Sequence, residues 1–477
     1  MLRRLDIPRS DALVVGSGPN GLAAAIRLAQ AGRKVTVLEA ANTPGGGARS
    51  AELTIPGFVH DICASVFPMA VCSPYLSTLP LQEHGLEWIF PEIPLAHPFD
   101  DDSAAVMFHS VRETANGLGA DGPEYEALIG QMVPSAEDLF ASILAPLQLP
   151  KHPLLLASFG LKAFRSARTV SRAYFRTERA RALFGGIAGH AMLPLEMLTS
   201  AAPALALAVA AHAEGWPFAK CGSQNLTRSL VSLLRSMGGD IITGFEVQSL
   251  NQLPQADAVL LDVTPRQLLR IAGDRLPHGY RRKLEGYKYG MGVFKMDWAL
   301  SQPIPWRSPE CRQAGTLHLG GTLDQISLSE REAWQGRVAD KPFIILAQAT
   351  VADPSRAPAG GHTAWGYCHV PNGFTGSMVE QIENQIERFA PGFRDCVLAR
   401  SVMAPEDFER HNPNLVGGDI AGGAAIPSQL FFRPTAGMYR VPAPGIFLCS
   451  SSTPPGPGVH GMCGYFAAEA ALSSALS

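Results

Sequence analysis

The run Ala12-Leu13-Val14-Val15 followed by Gly16-Ser17-Gly18-Pro19-Asn20-Gly21 constrains this chain more than any other stretch of it. Four apolar residues in a row read as a short strand buried on both faces, as in a parallel sheet. Leu22 to Ala31, rich in Ala and Leu, reads as a helix that Gly32 ends. Lys34 to Leu38 reads as a second strand and closes a βαβ unit, with Glu39 at its end. Gly16 permits the tight turn, Gly18 lets a pyrophosphate approach the backbone, and Gly21 lets helix and strand pack closely. The helix N-terminus offers amides and partial positive charge to phosphates, and Glu39 with the adjacent Ala40 is placed to meet ribose hydroxyls. The unit predicts a dinucleotide site.

A second glycine cluster, Pro44-Gly45-Gly46-Gly47-Ala48-Arg49, follows within a few residues of Glu39. Its amides can face a pyrophosphate, and Arg49 can neutralise it or reach the far end of the ligand. Near the C-terminus, a strand at Gly445 to Leu448 leads through Pro454-Pro455-Gly456-Pro457-Gly458-Val459-His460-Gly461 into a helix of small residues. A helix N-terminus there would stabilise negative charge on a reduced flavin ring, so the two ends of the chain read as halves of one FAD site. No second G-x-G-x-x-G and no C-x-x-C pair occurs, which argues against a separate NADPH domain and a redox-active disulfide. The same cysteine spacing argues against a zinc cluster, and no metal is expected.

Nucleotide-type segments at the start, middle and end of 477 residues imply a discontinuous arrangement. The expected fold is α/β: a Rossmann-like FAD-binding domain from 1–95, 216–290 and 440–477, with an inserted α+β substrate domain from 96–215 and 291–439. Within it, 123–215 reads as helical, Asp240 to Leu250 and Ala258 to Asp262 as strands, and 290–370 as an antiparallel sheet. The charge-free run between Glu196 and Glu214 reads as a buried helix, since it is Ala-rich and holds Pro203 and His212. A net charge of −3 gives no reason to expect a nucleic-acid partner. The opening Met1 to Ser10 carries Arg3, Arg4 and Arg9 without an apolar run, so a secretory signal is not expected and a cytoplasmic location is.

With these motifs in place, the whole chain resembles the phytoene desaturase-related branch of the FAD-dependent amine oxidase-like flavoproteins. That branch includes carotenoid desaturases, isomerases and ketolases, retinol saturase, and proteins named for a pyridine nucleotide-disulfide oxidoreductase domain. The likeness rests on the Gly16–Glu39 fingerprint, Pro44-Gly45-Gly46, Gly244-Phe245-Glu246-Val247, Gly417-Gly418-Asp419-Ile420 and the Pro454–Ala468 ending. The resemblance implies that Val247 meets the adenine through its backbone and that Gly458, Val459, His460 and Gly461 meet the isoalloxazine of a non-covalent FAD. Two departures stand out: Cys221-Gly222 where relatives have paired glycines, and Phe67 where many have His.

His460, inside the flavin loop, is the candidate catalytic residue. His60-Asp61 reads as an ordinary hydrogen-bonded pair that can alternatively face the flavin, and Cys63 as an unmodified thiol. His190, His318, His369 and Trp298 read as core or cavity wall. Lys162, Arg165, Arg168, Arg172, Arg176 and Arg179 recur at steps of three or four, as on one helical face. Such a face suits contact with an anionic membrane, or is a solvated surface. The expected activity is hydride transfer between FAD and a small apolar substrate, isoprenoid or polyene-like. The alternatives are a flavin-dependent amine oxidase and a flavin-binding interaction protein without turnover.

Overall fold

Ala12–Val15 is the central strand of a five-stranded sheet whose order is 446–448, 258–261, 12–15, 35–38, 240–242, all parallel. This is the computed structural model of the chain; it describes residues 5–477, so Arg3 and Arg4 lie outside the described residues. Helices cover both faces of the sheet, which explains why Ala12–Val15 and Val35–Leu38 carry no polar alternation apart from Thr36. The first helix runs Pro19–Gln30 and so begins inside the glycine loop, three residues earlier than its apolar pattern indicates. Pro19 sits in its first turn, where a missing N–H costs nothing.

The C-terminal helix Met462–Leu472 packs directly on Pro19–Gln30. A Cβ on Gly464 would fall 1.8 Å from the carbonyl oxygen of Asn20, so the two backbones touch. That contact ties the last segment of the chain to the first and explains the small residues of the C-terminal helix. Beyond Asp240–Ile242 the expected strand stops short. The Gly244 amide donates to the Ala41 carbonyl and the Phe245 amide to that of Glu39, so the chain folds over the end of the neighbouring strand. Val247 is thereby delivered beside Glu39 as loop.

A second, seven-stranded sheet has the order 397–403, 292–300, 362–370, 344–347, 314–319, 93–98, 104–107. It is mixed, not purely antiparallel, because Ala314–Leu319 runs parallel to Ile93–Pro98. Ile93–Pro98 begins before residue 96, earlier than the expected change of domain. Side chains alternate between its faces. Phe294, Met296 and Trp298 enter a core with Ile382 and Ile386 of helix Val379–Phe389. Val293 and Lys295, with Ile345, Ala347, Trp365 and Tyr367, line a cavity on the opposite face. Helices between 136 and 213 roof this cavity, and Ala201–Ala213 is largely buried as expected. Among the described residues no helix is long and apolar enough to cross a membrane.

Two sequence departures acquire reasons here. Cys221 has φ +62° and Gly222 φ +112°, so this turn asks for glycine at both positions, and Cys221 occupies a conformation that costs a side-chain-bearing residue energy. Phe67 is buried against Trp88 and contributes apolar wall. The basic stripe read from the sequence is corrected: residues 162–179 do not form one helix, because Pro153–Ala163, Ala167–Tyr174 and Glu178–Gly189 are separate. Arg168 pairs with Glu196 and Asp324, Arg172 with Asp324, and Arg179 donates to the Gly117 carbonyl.

Candidate active site

One cavity of about 1620 Å³ runs from the C-terminal ends of Ala12–Val15 and Val35–Leu38 to the floor of the second sheet and on between the helices. Crevices at the C-terminal ends of parallel strands are where this kind of fold takes its ligands. The helix Pro19–Gln30 opens on the cavity through Gly18, which has no side chain to cap it, while the Gly21 amide of its first turn is taken by Asp262. Glu39 organises the loop in front of it: one carboxylate oxygen accepts from the Ser17 amide (2.9 Å) and the Ser17 hydroxyl (2.5 Å), the other from the Ala41 amide (2.8 Å). Ser17 in turn accepts from the Gly45 amide at 3.3 Å, joining the two glycine loops. A Cβ on Gly46 would lie 2.9 Å from the Gly18 Cα, so the loops close on each other backbone to backbone. The buried Arg49 guanidinium donates to the Gly46 and His411 carbonyls and reaches the cavity wall.

Gly16, Ser17, Gly18, Pro19, Asn20, Glu39, Ala40, Gly46, Gly47, Arg49, Val247, Gly458 and Val459 all line the cavity. Gly21, Gly45, Ala48, His460 and Gly461 stand behind its wall. Gly21 donates its amide to Asp262, Ala48 forms a turn with Gly45, and Gly461 packs on Ala23. A dinucleotide fits this surface: the long cavity offers a helix N-terminus and a guanidinium for phosphates, a carboxylate for hydroxyls, and glycines that leave its backbone bare.

His460 is a correction. Its side chain is fully buried outside the cavity, and its Nδ1 accepts from the Met462 amide at 3.0 Å. Burial pushes its pKa down to about 4, and the neutral ring caps the C-terminal helix from behind the cavity wall. His60 donates to or accepts from the Thr54 hydroxyl (2.8 Å), and burial with the nearby Lys295 lowers it to about 3. Burial pushes the Cys63 thiol up to about 11, against the pull of Lys295 and Arg49, so it is no ready nucleophile. His190 forms cavity wall and pairs with His318 at 3.0 Å; His369 pairs with Glu330, and Trp298 with Glu383, in the core.

Two residues escaped the sequence reading. Lys295 is 2% exposed on the cavity floor, ion-paired with Asp297, and its Nζ lies 5.6 Å from the Trp365 ring centre. Trp365 stacks on Tyr367 with centroids 5.6 Å apart and planes 11° from parallel. The alternation Lys295-x-Asp297 opposite Trp365-x-Tyr367 was the available signal, since paired positions of adjacent strands share a face.

The second is Asp262, at the end of strand Ala258–Leu261. Its Oδ2 accepts from the Gly21 amide at 3.0 Å, beside the helix N-terminus. Burial pushes its pKa up to about 7, with the Glu39 charge adding to the rise. A raised carboxyl pKa means the folded state holds a proton that the unfolded chain releases near its ordinary value. Stability is therefore fully present at about pH 4 and falls as pH rises towards and through about 7, by on the order of 2–4 kcal/mol. Asp262→Asn keeps the acceptor for Gly21 and is expected to flatten that loss. Thermal melts of wild type and variant across this range, with and without FAD, measure it; parallel pH profiles would refute the assignment.

A family profile for an NAD(P)-binding Rossmann-like domain matches residues 14–78. The chain is 26% identical to mouse pyridine nucleotide-disulfide oxidoreductase domain-containing protein 2, over 97% of this chain and 93% of that one. It is 27% identical to a phytoene dehydrogenase of Streptomyces griseus, over 82% of this chain and 78% of that one. Its fold matches a putrescine oxidase bound to putrescine with a TM-score of 0.63 at 19% identity, covering 98% of this chain and 99% of that one. With the glycine loops, Glu39 and the cavity, these likenesses make the chain similar to the phytoene desaturase-related FAD-dependent oxidoreductases.

Proposed function

We propose that this oxidoreductase acts on an apolar, isoprenoid- or polyene-like substrate, bound in the part of the cavity between the sheet floor and the helices. FAD, when bound, supplies hydride transfer to or from a substrate carbon. The Gly16–Asn20 loop and Arg49 would hold its pyrophosphate, Glu39 its ribose, Val247 its adenine, and Gly458 and Val459 its ring. The observation that carries the reading is the apolar wall, built by Leu156, Phe159, Ala206, Leu207, Trp216 and Ile345. These side chains exclude water and orient a substrate by shape, not by charge.

The floor disfavours the amine-oxidase alternative. An ammonium substrate needs a free aromatic face, but the cation nearest Trp365 is the chain's own Lys295. A second positive charge there would be repelled. Lys295 spends one of its three N–H donors on Asp297. It can offer the others to a polar atom at the cavity floor.

The test is anaerobic rapid mixing of the yellow protein with isoprenoids, amines, NADH and NADPH, following flavin absorbance. Saturable bleaching by an isoprenoid, or reoxidation of the photoreduced protein by a polyene, is the expected result. Rapid bleaching by NADPH or an amine, with no response to any lipid, would overturn the reading.

A further inference from the structure

Helix Glu178–Gly189 carries Gly185, Gly186 and Gly189 in its last turns, although glycine is among the poorest helix formers. They let the helix approach the second sheet closely. A Cβ on Gly186 would lie 2.8 Å from Nδ1 of His318, and one on Gly189 would run into the Phe343 ring. The helix therefore lies directly on strand Ala314–Leu319 and ends with His190 beside His318. The two Nε2 atoms are 3.0 Å apart, and the Trp216 ring packs near both imidazoles, with centroids 5.8 and 6.2 Å away. Trp216 is itself held by its indole N–H, which donates to the Leu207 carbonyl at 3.1 Å.

The two histidines play unequal parts. His318 is fully buried and its Nδ1 is enclosed without a partner, so the contact with His190 is its one hydrogen bond among the described residues. A buried N–H without an acceptor is rarer than a buried acceptor without a donor, and the helix backbone at Gly186 covers this nitrogen. That assigns the tautomers: His318 keeps Nδ1 bare and donates from Nε2, and His190 accepts at Nε2 and carries its proton on Nδ1. His190 lines the cavity, and its Nδ1 bonds no other group among the described residues without being sealed off as the His318 Nδ1 is. Burial, with His369 nearby, lowers the His190 pKa to about 3, so the ring is a neutral donor.

Strand register fixes where this donor stands. His318 is opposite Ile345, Ile345 opposite Tyr367, and Tyr367 opposite Lys295, so the four form one row across one face of the sheet. His318 is thus three strand spacings, about 14 Å, from Lys295, with Ile345 and Tyr367 between them as cavity floor. We propose that His190 determines specificity: its Nδ1–H donates to a neutral carbonyl oxygen carried by the substrate chain, and His318 is the positioning residue that holds its ring and tautomer. A carbonyl oxygen only accepts and carries no charge, which suits a neutral N–H in an apolar wall. A carboxylate would lose its water there without gaining a counter-charge from the neutral ring, and a hydrocarbon would leave the N–H unpaired. The assignment rests on the apolar-substrate reading and narrows it to oxygenated isoprenoids or polyenes.

The FAD-loaded full chain is titrated anaerobically with farnesylacetone and with the hydrocarbon in which CH2 replaces its carbonyl, using calorimetry for binding and flavin absorbance for turnover. Wild type is expected to bind the ketone about tenfold to a hundredfold more tightly. His190→Phe keeps a ring and removes the donor. It should bring the preference to about one, by weakening the ketone and not the hydrocarbon. His318→Phe leaves the His190 N–H without its holder and should cut the preference to a small remainder. His278→Phe, on the exposed helix His278–Glu285, should keep the wild-type ratio. A ratio of two ligands on one sample does not move when a variant folds less completely, so a merely structural role would leave it unchanged. Equal affinity of wild type for the two ligands overturns the proposal without any variant, and so does a full preference retained in His190→Phe. A full preference retained in His318→Phe overturns its positioning role. An intact preference with no bleaching by either ligand would instead remove only the functional reading, and binding of neither would remove both.

Discussion

Glu39→Ala is expected to yield a folded protein that purifies nearly colourless, with FAD affinity lowered by about a hundredfold to a thousandfold. Glu39 accepts from the Ser17 amide, the Ser17 hydroxyl and the Ala41 amide, and Ser17 in turn accepts from Gly45. Bonds to a charged acceptor contribute about 1.5–3 kcal/mol each, and these hold the loop in the shape that leaves the helix N-terminus at Gly18 to Asn20 facing the cavity. Losing them releases the loop, while the sheet beneath it keeps its own hydrogen bonds. An effect of about 3–4 kcal/mol on binding is therefore larger than the effect on folding. Glu39→Gln keeps acceptors without the charge and should fall between. Titration of apo-protein with FAD, alongside circular dichroism, measures both; unchanged affinity would show that the carboxylate serves the strand end and not the ligand.

Lys295→Met is expected to destabilise the protein by about 3–5 kcal/mol, because it strands the fully buried Asp297 carboxylate without its cation. Burial already raises Asp297 to about 6 with Lys295 pulling the other way. Without the lysine the rise is larger, so the folded state must take up a proton. The defect is therefore small at low pH and grows as pH climbs through the raised value. Lys295→Met/Asp297→Asn removes both charges and should recover most of the stability, which a double-mutant cycle reads as coupling between the pair. Flavin reduction by the functional substrate should remain slow in the double variant, since the donors on the floor are gone. Full recovery of both stability and rate would make Lys295 a structural partner of Asp297 alone.

Much of this was legible in one dimension because it depends on neighbours in sequence. The strand, glycine loop and helix from Ala12 to Gln30 are local, and so is the requirement for bare backbone at Gly16, Gly18 and Gly46. The glycine motifs linked the two ends of the chain, and the contact of Gly464 with Asn20 shows the physical reason they must meet. What tertiary structure alone decided concerns direction and partners. His460 lies one residue beyond the cavity-lining Val459, yet the helix that follows supplies an amide that turns its ring inward. Asp262 looked like the end of a strand, and only the pairing of Ala258–Leu261 with Ala12–Val15 sets it beneath Gly21. Lys295 became a cavity residue because its strand pairs with the one bearing Trp365 and Tyr367, a partner some seventy residues away. The basic stripe failed for the converse reason: periodicity marks a shared face only while one helix continues, and breaks near Ser166 and Phe175 send its arginines to different carboxylates. Spacing along the chain reports which residues can share a surface, and packing decides which way that surface looks.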